Sequence, residues 1–238
     1  MRNLLLLSNS SIPNEPYFNW GKPFVKQFLG SNRLKVLFVP YAGVSMSWDE
    51  YTKTISMVYN ELGHDVVGIH EFDDPKKAVR DCAALAVGGG NTFRLFEKLH
   101  EFDLIDTINH RINEGMPYMG WSAGTNTACP YLFTTNDMPI VQPKSFKGLG
   151  QLPFQVNVHY TNASIAGHGG ETRDIRLAEF QVLHPKTNLV GLRECSLIEV
   201  SGDKYFLKGR GNTMKVFKAD GNHLEIHEGE FNPSSWGF

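Results

Sequence analysis

The sequence predicts an α/β fold: a mostly parallel central sheet flanked by helices, followed by a β-rich C-terminal part. Two patterns carry this. Up to about residue 120, short runs that are apolar throughout alternate with longer stretches of helical spacing, as crossover-connected strands buried on both faces require. After about residue 140 the runs alternate apolar and polar residues and end in turn signals such as Ser201-Gly202-Asp203 and Ala219-Asp220-Gly221-Asn222. No Pro/Ser-rich linker and no internal repeat divides the chain, so residues 1–238 are read as one α/β domain able to bury a substantial core.

The elements follow in order. Residues 3–7 form the first strand; the run Leu4-Leu5-Leu6-Leu7 is too short for a signal sequence and is closed at once by Ser8-Asn9-Ser10-Ser11. Residues 35–39 form the second strand, ended by Pro40. Residues 47–62 have helical spacing, with Ser47 as N-cap and Gly63 as the stop. Residues 65–69 are a third strand, and 74–82 a short helix whose Pro75 suits the first turn. Residues 85–87 are a fourth strand running into Gly88-Gly89-Gly90. One long amphipathic pattern spans 92–113 and stops at Gly115, before a fifth strand at 116–120. Beyond it, 155–160, parts of 188–200, 204–208 and 214–218 alternate as strands, with one helix around 171–183.

Bulk properties exclude several functions. The net charge of −2 gives no basis for binding nucleic acid or an anionic membrane. No stretch approaches the ~18 apolar residues that a membrane span needs. Cys82, Cys129 and Cys195 are odd in number and include no CxxC, so neither a disulfide framework nor a structural zinc site is implied. A reducing, cytoplasmic location is expected.

The strongest chemical signal is Gly120-Trp121-Ser122-Ala123-Gly124. It matches G-x-S-x-G where a buried strand meets a helix start, a strained turn that exposes the serine hydroxyl as a nucleophile. A nucleophilic serine needs a base. His159 ends an alternating segment on its polar face; His168 is its nearest rival, and His223 and His227 lie in the acidic C-terminal segment. The absence of HExxH argues against a zinc hydrolase. A carboxylate must fix the imidazole tautomer, and spacing leaves Glu194 and Glu199 both open. The Ala123 amide is one expected oxyanion donor. Gly88-Gly89-Gly90-Asn91 follows a strand and opens a helix, which makes a natural anion site, but it is not Walker A and lacks the third glycine of G-x-G-x-x-G.

Together with Thr134-Thr135-Asn136-Asp137-Met138-Pro139 and Gly191-Leu192-Arg193-Glu194, these motifs resemble the peptidase E family of aspartyl dipeptidases, in order and from the first strand to about Val200. The resemblance implies a fold similar to class I glutamine amidotransferases (flavodoxin-like) and a Ser-His-Glu triad. Ser122 would be the nucleophile, His159 the base and Glu194 the acid, with Gly90 and Ala123 as oxyanion donors. Arg173 matches the position that recognises the substrate aspartate's side chain. Asp137 would order the site or bind the free α-ammonium, and Asn91 is placed with these two among the substrate-binding residues. The implied substrate is a small Asp-Xaa peptide, with no metal or organic cofactor. The oligomeric state stays open, a homodimer included.

Two other readings remain at this point. A generic serine esterase of α/β-hydrolase type would use His223 or His227, but the order Ser, His, Glu and the early Pro130 speak against it. A non-catalytic anion-binding protein would leave Ser122 inert. Serine rather than cysteine at the elbow argues against glutamine amidotransfer.

Overall fold

The computed structural model describes residues 1–163 and 169–237. Five strands lie parallel at its centre: β1 (Asn3–Leu7), β2 (Lys35–Val39), β3 (Asp65–Gly68), β4 (Ala84–Val87) and β5 (Tyr118–Trp121), in the spatial order β1-β5-β4-β2-β3. Their side chains alternate between two cores. Leu5, Leu7, Val36, Phe38, Met119 and Trp121 pack against α1 (Lys22–Leu29) and α2 (Trp48–Glu61). Leu4, Leu6, Leu37, Val39, Leu85 and Val87 pack against α3 (Pro75–Asp81), α4 (Thr92–Glu101) and α5 (Leu104–Asn113). With helices on both faces, the strands are apolar beyond their first residue (Asn3, Lys35 and Asp65 open β1, β2 and β3), and each fully buried aliphatic side chain stabilises by about 1.5–3 kcal/mol.

The rest of the chain adds α6 (Ala123–Thr127), β6 (Gln155–Tyr160), α7 (Arg173–Leu183), β7 (Leu189–Arg193), β8 (Ser196–Ser201), β9 (Lys204–Gly209), β10 (Met214–Phe217), β11 (His223–Ile226) and β12 (Gly229–Phe231). β8 pairs antiparallel with β1 and is followed outward by β9 and β12, which extends the central sheet to eight strands. β6, β7, β10 and β11 form a second sheet whose Val156, Val158, Val190 and Leu192 share one core with α3, α4 and α5.

Helix starts follow the expected chemistry. Ser47 caps α2 in a full capping box with Glu50, and the Asp74 side chain accepts from Lys77 N at the start of α3. Several expectations need correction. The pattern over 92–113 is two helices, broken where Asp103 adopts a left-handed conformation at φ 47. The third strand stops at Gly68 because the Glu71 carboxylate takes the Gly68 N–H at 2.6 Å and winds Ile69–Glu71 into a single 3-10 turn. The fifth strand runs over Tyr118–Trp121, later than expected. Gln155 and Asn157 do not face water: both are buried, because β6 is covered on both sides. The helix α1 and the edge strands β11 and β12 were not anticipated.

Candidate active site

Ser122 follows β5 directly at φ 52, ψ −113, a conformation strained for any L residue. The turn is clamped to the end of β1: Ser122 N donates to Leu7 O at 3.1 Å, and Thr125 Oγ1 donates to the same carbonyl at 2.6 Å. A Cβ at Gly124 would lie 2.1 Å from Val87 O, so only glycine lets the elbow press against β4.

The end of β6 brings His159 to this turn. His159 sits at φ 54, and its Nε2 is 2.9 Å from Ser122 Oγ. Its Nδ1 is 3.0 Å from Oε1 of Glu194, the residue that follows β7. A carboxylate beside Nδ1 holds the proton there and leaves Nε2 to accept from the serine. The His159 and Glu194 side chains are 38% and 51% exposed, so solvent screens the carboxylate charge and the pair works chiefly through orientation. Arg193 anchors the Glu194 turn: its guanidinium grips the Glu225 carboxylate at 2.9 and 3.0 Å and lies 5.2 Å from the centre of the Tyr160 ring. Cys195, next in the chain, has φ 58. Ser122, His159 and Cys195 thus cluster left-handed non-glycine residues at one place, a pattern that marks functional sites.

Ser122 and His159 open into a cleft of about 620 Å³ that is also lined by Gly89, Gly90, Asn91 and Tyr51. A second depression, of about 460 Å³ beside Leu37, Val67 and Phe72, contains none of the candidate catalytic or substrate-binding residues. Gly90 has φ 135, and a Cβ there would lie 2.3 Å from Ala42 O. Asn91 caps α4 by accepting from Arg94 N at 3.0 Å, while its Nδ2 donates to Met138 O at 2.9 Å.

The segment around 134–138 ties this loop to β6. Asp137 Oδ2 accepts from Thr92 N at 2.7 Å, Thr92 Oγ1 at 2.6 Å and Thr135 Oγ1 at 3.1 Å, so its carboxylate sits at the N-terminus of α4. Asn136 Nδ2 donates to Val158 O at 2.7 Å, and its Oδ1 accepts from Asn157 Nδ2 and from Arg173 Nη1. Arg173 opens α7; burial, with a smaller contribution from Arg176, pulls its pKa below the ordinary arginine value. Arg173 and Asp137 do not line the cleft itself; Arg173 is joined to the strand carrying His159 through Asn136.

The competing residues lie elsewhere. Glu199 pairs with Lys208 at 2.6 Å between β8 and β9. His223 packs edge-on against Phe217, and His227 follows β11 in the second sheet. His168 lies outside the described residues.

Residues 4–208 match peptidase family S51. The chain belongs to that family. Peptidase E from Shewanella baltica is 46% identical over 207 residues, covering 87% of this chain and 87% of the relative. Peptidase E from Salmonella paratyphi A is 43% identical over 226 residues, covering 95% and 98%, and that from Nostoc sp. is 42% identical over 217 residues, covering 91% and 89%. Among solved structures, a peptidase from an acI-B1 actinobacterium aligns with TM-score 0.68 at 17% identity, over 97% of this chain and 94% of that one. A Listeria monocytogenes protein assigned to peptidase E aligns with TM-score 0.67 at 22% identity, over 88% and 99%. These two likenesses concern the fold. No helix among the described residues is long and apolar enough to cross a membrane.

Sequence reasoning missed three residues that hold this candidate site together. Buried Ser8 bridges the two sheets by accepting from His159 N and donating to Leu192 O, each at 2.9 Å. Asn9 Oδ1 accepts from Cys195 N at 2.8 Å, beside Glu194. Tyr51 donates to Gly89 O at 3.1 Å. A signal existed for the first two: polar residues at the C-terminal end of a buried parallel strand stand where α/β sites form. Tyr51 reads only as a helix core residue.

Proposed function

We propose that this S51 peptidase is a serine-type exopeptidase that hydrolyses Asp-Xaa dipeptides bearing a free N-terminal aspartate, through an acyl-enzyme on Ser122. The observation that carries the reading is the unbroken row Glu194–His159–Ser122, with spacings of 3.0 and 2.9 Å.

Ser122 Oγ attacks the peptide carbonyl carbon while His159 Nε2 takes its proton. The carbonyl oxygen becomes an oxyanion held by the N–H groups of Gly90 and Ala123. The Ala123 N–H opens α6, and the first N–H groups of a helix have no partner within it. Collapse breaks the C–N bond, and the proton on His159 passes to the departing amine. Water then gives a proton to His159 and its oxygen to the acyl carbon, releasing aspartate and restoring the Ser122 hydroxyl. Arg173 receives the β-carboxylate of the substrate, and Asn136 sets its position relative to His159. Asn91 and Asp137 keep the glycine loop in place against α4. The peptidase E relatives support a peptide substrate, and the three free thiols support a reducing, cytoplasmic setting.

A panel of dipeptides scored for free aspartate, run beside fluorophosphonate labelling, tests this. The expected result is release from Asp-Leu with the label on the peptide containing Ser122. Failure of Ser122 to label, with no aspartate released from any Asp-Xaa substrate, would overturn it.

A further inference from the structure

The peptide linking Gly89 to Gly90 is held from behind by a side chain on α2. Tyr51 is buried, and its hydroxyl donates to Gly89 O at 3.1 Å. The same hydroxyl accepts the indole N–H of Trp121 at 3.1 Å. An indole nitrogen only donates, so it occupies a lone pair of the Tyr51 oxygen and leaves the phenolic proton for the carbonyl. Burial, with Tyr17 adding to it, raises the Tyr51 pKa well above the ordinary tyrosine value, and the proton stays in place.

In a trans peptide the C=O of one residue and the N–H of the next point in opposite directions within one plane, and the described peptides are all trans. Fixing Gly89 O therefore fixes the direction of the Gly90 N–H. The constraint is needed because two adjacent glycines have no Cβ to limit rotation. The space is tight: a Cβ at Gly88 would lie 2.8 Å from Tyr51 Oη, and one at Gly89 would press on Ser122 Cβ at 3.0 Å. Because Trp121 immediately precedes the nucleophile, the Tyr51 hydroxyl also ties the serine elbow to the glycine loop.

The geometry points to Tyr51 as a positioning residue for the oxyanion hole: the relay Trp121 Nε1–H, Tyr51 Oη–H, Gly89 C=O aims the Gly90 N–H at the oxyanion formed on Ser122. This rests on the acyl-enzyme reading above. Tyr51 contacts no reacting atom. Its effect belongs to the transition state, where charge develops on the oxygen, and not to ground-state binding.

Tyr51→Phe keeps the ring, which packs edge-on to Phe38 with centroids 4.9 Å apart, and removes only the hydroxyl. Misaiming one oxyanion donor should lower kcat for Asp-Leu by roughly 10- to 100-fold with KM within about twofold, somewhat less than removing a donor outright. The boronic acid analogue of aspartate, which forms a tetrahedral adduct on the serine visible by boron NMR, should lose affinity by the same factor. Aspartate itself, a ground-state ligand, should bind as before. Phe38→Leu serves as the packing control, lowering the melting temperature while leaving the boronate-to-aspartate affinity ratio unchanged. If Tyr51→Phe leaves that ratio at its wild-type value while the wild-type adduct forms, the role of Tyr51 is overturned and the acyl-enzyme reading stands. If wild-type protein gives neither a tetrahedral boron signal nor a fluorophosphonate label on Ser122, both are overturned.

Discussion

The Ser8 hydroxyl accepts the backbone N–H of His159 at 2.9 Å. This one bond joins the end of β1 in the central sheet to the end of β6 in the second sheet, where the proposed base turns to φ 54. Ser8 also donates to Leu192 O, two residues before Glu194. One buried side chain thus positions both strands that carry the partners of Ser122. Ser8→Ala removes the hydroxyl partner of the His159 N–H and of the Leu192 C=O, at a cost of about 1–3 kcal/mol for each group left stranded. Urea melts should show that loss, and kcat should fall by about 10-fold or more because His159 is no longer held against Ser122. A variant that loses stability but keeps wild-type kcat would mean that β6 alone positions the base.

The elbow couples activity to strain. Ser122→Ala should lower kcat by roughly 10⁴-fold or more, and His159→Ala by a similar factor, since triad members act as a unit. Glu194→Gln should cost less, because its half-exposed side chain chiefly orients the imidazole. Ser122→Gly should be as inactive as Ser122→Ala yet more stable by about 1 kcal/mol, since glycine accepts φ 52 with little penalty. Equal melting of the two variants would show that the elbow stores no strain at this residue.

The parallel half of the fold was legible because strands buried on both faces write themselves as apolar runs. Residues 3–7 and 35–39 were bounded correctly for that reason. Strands β11 and β12 were not, since β11 buries none of its four residues fully and β12 only the last of its three. The break at Asp103 was hidden because apolar spacing continues on both sides and no glycine or proline marks it. At the site, the Ser122 turn is local chemistry and can be read from five residues. The contact between His159 and Glu194 joins two adjacent strands 35 residues apart in sequence, and local spacing alone did not separate Glu194 from Glu199. Ser8 stands at the end of a buried parallel strand, which marks its place but not its partners; Tyr51 was illegible because its role exists only through partners that the fold supplies.

Asp137 gives a test of which carboxylates are structural. Its Oδ2 receives three hydrogen bonds at the N-terminus of α4, where a negative charge is favoured. Asp137→Asn should therefore cost roughly 1 kcal/mol of stability and raise KM for Asp-Leu little. A large rise in KM with unchanged stability would instead assign the carboxylate to the substrate's α-ammonium.

Acid should loosen α7 through Asp174. Burial alone would raise its pKa, but hydrogen bonds from Lys215 Nζ at 2.6 Å and Tyr160 Oη at 2.5 Å hold it below the ordinary 3.8. The ionised form is therefore favoured in the folded state. Its contribution is fully present above 3.8 and is lost as pH falls through the lower folded value. Wild-type and Asp174→Asn melting temperatures should differ at neutral pH and converge in acid. Curves that stay parallel down the acid limb would remove Asp174 from the account.

Arg173 stands in an electrostatically unfavourable place, and that bears on what it binds. It is the first residue of α7, where the helix dipole presents positive charge; burial pulls its pKa down and Arg176 adds like-charge repulsion. Asn136 gives its guanidinium one acceptor but no negative charge. A substrate carboxylate would offset the dipole, the burial and the repulsion at once through two parallel charge-assisted hydrogen bonds. A neutral amide offers no such relief, and sites built around polar groups reject the wrong partner by roughly 10⁴-fold, so Asp-Leu should be cleaved and Asn-Leu nearly untouched. Glu-Leu should be poor as well, because its extra methylene shifts the carbonyl away from Ser122. Arg173→Met should lower kcat/KM for Asp-Leu by about 100-fold or more and narrow the Asp/Asn ratio, since it removes the partner of a desolvated charge. It should not lower the melting temperature, because the lost cation was destabilised in the free enzyme and Asn136 Oδ1 keeps its bond from Asn157 at 2.6 Å. If Arg173→Met melts normally and still discriminates as wild type does, the substrate's β-carboxylate is read by other residues.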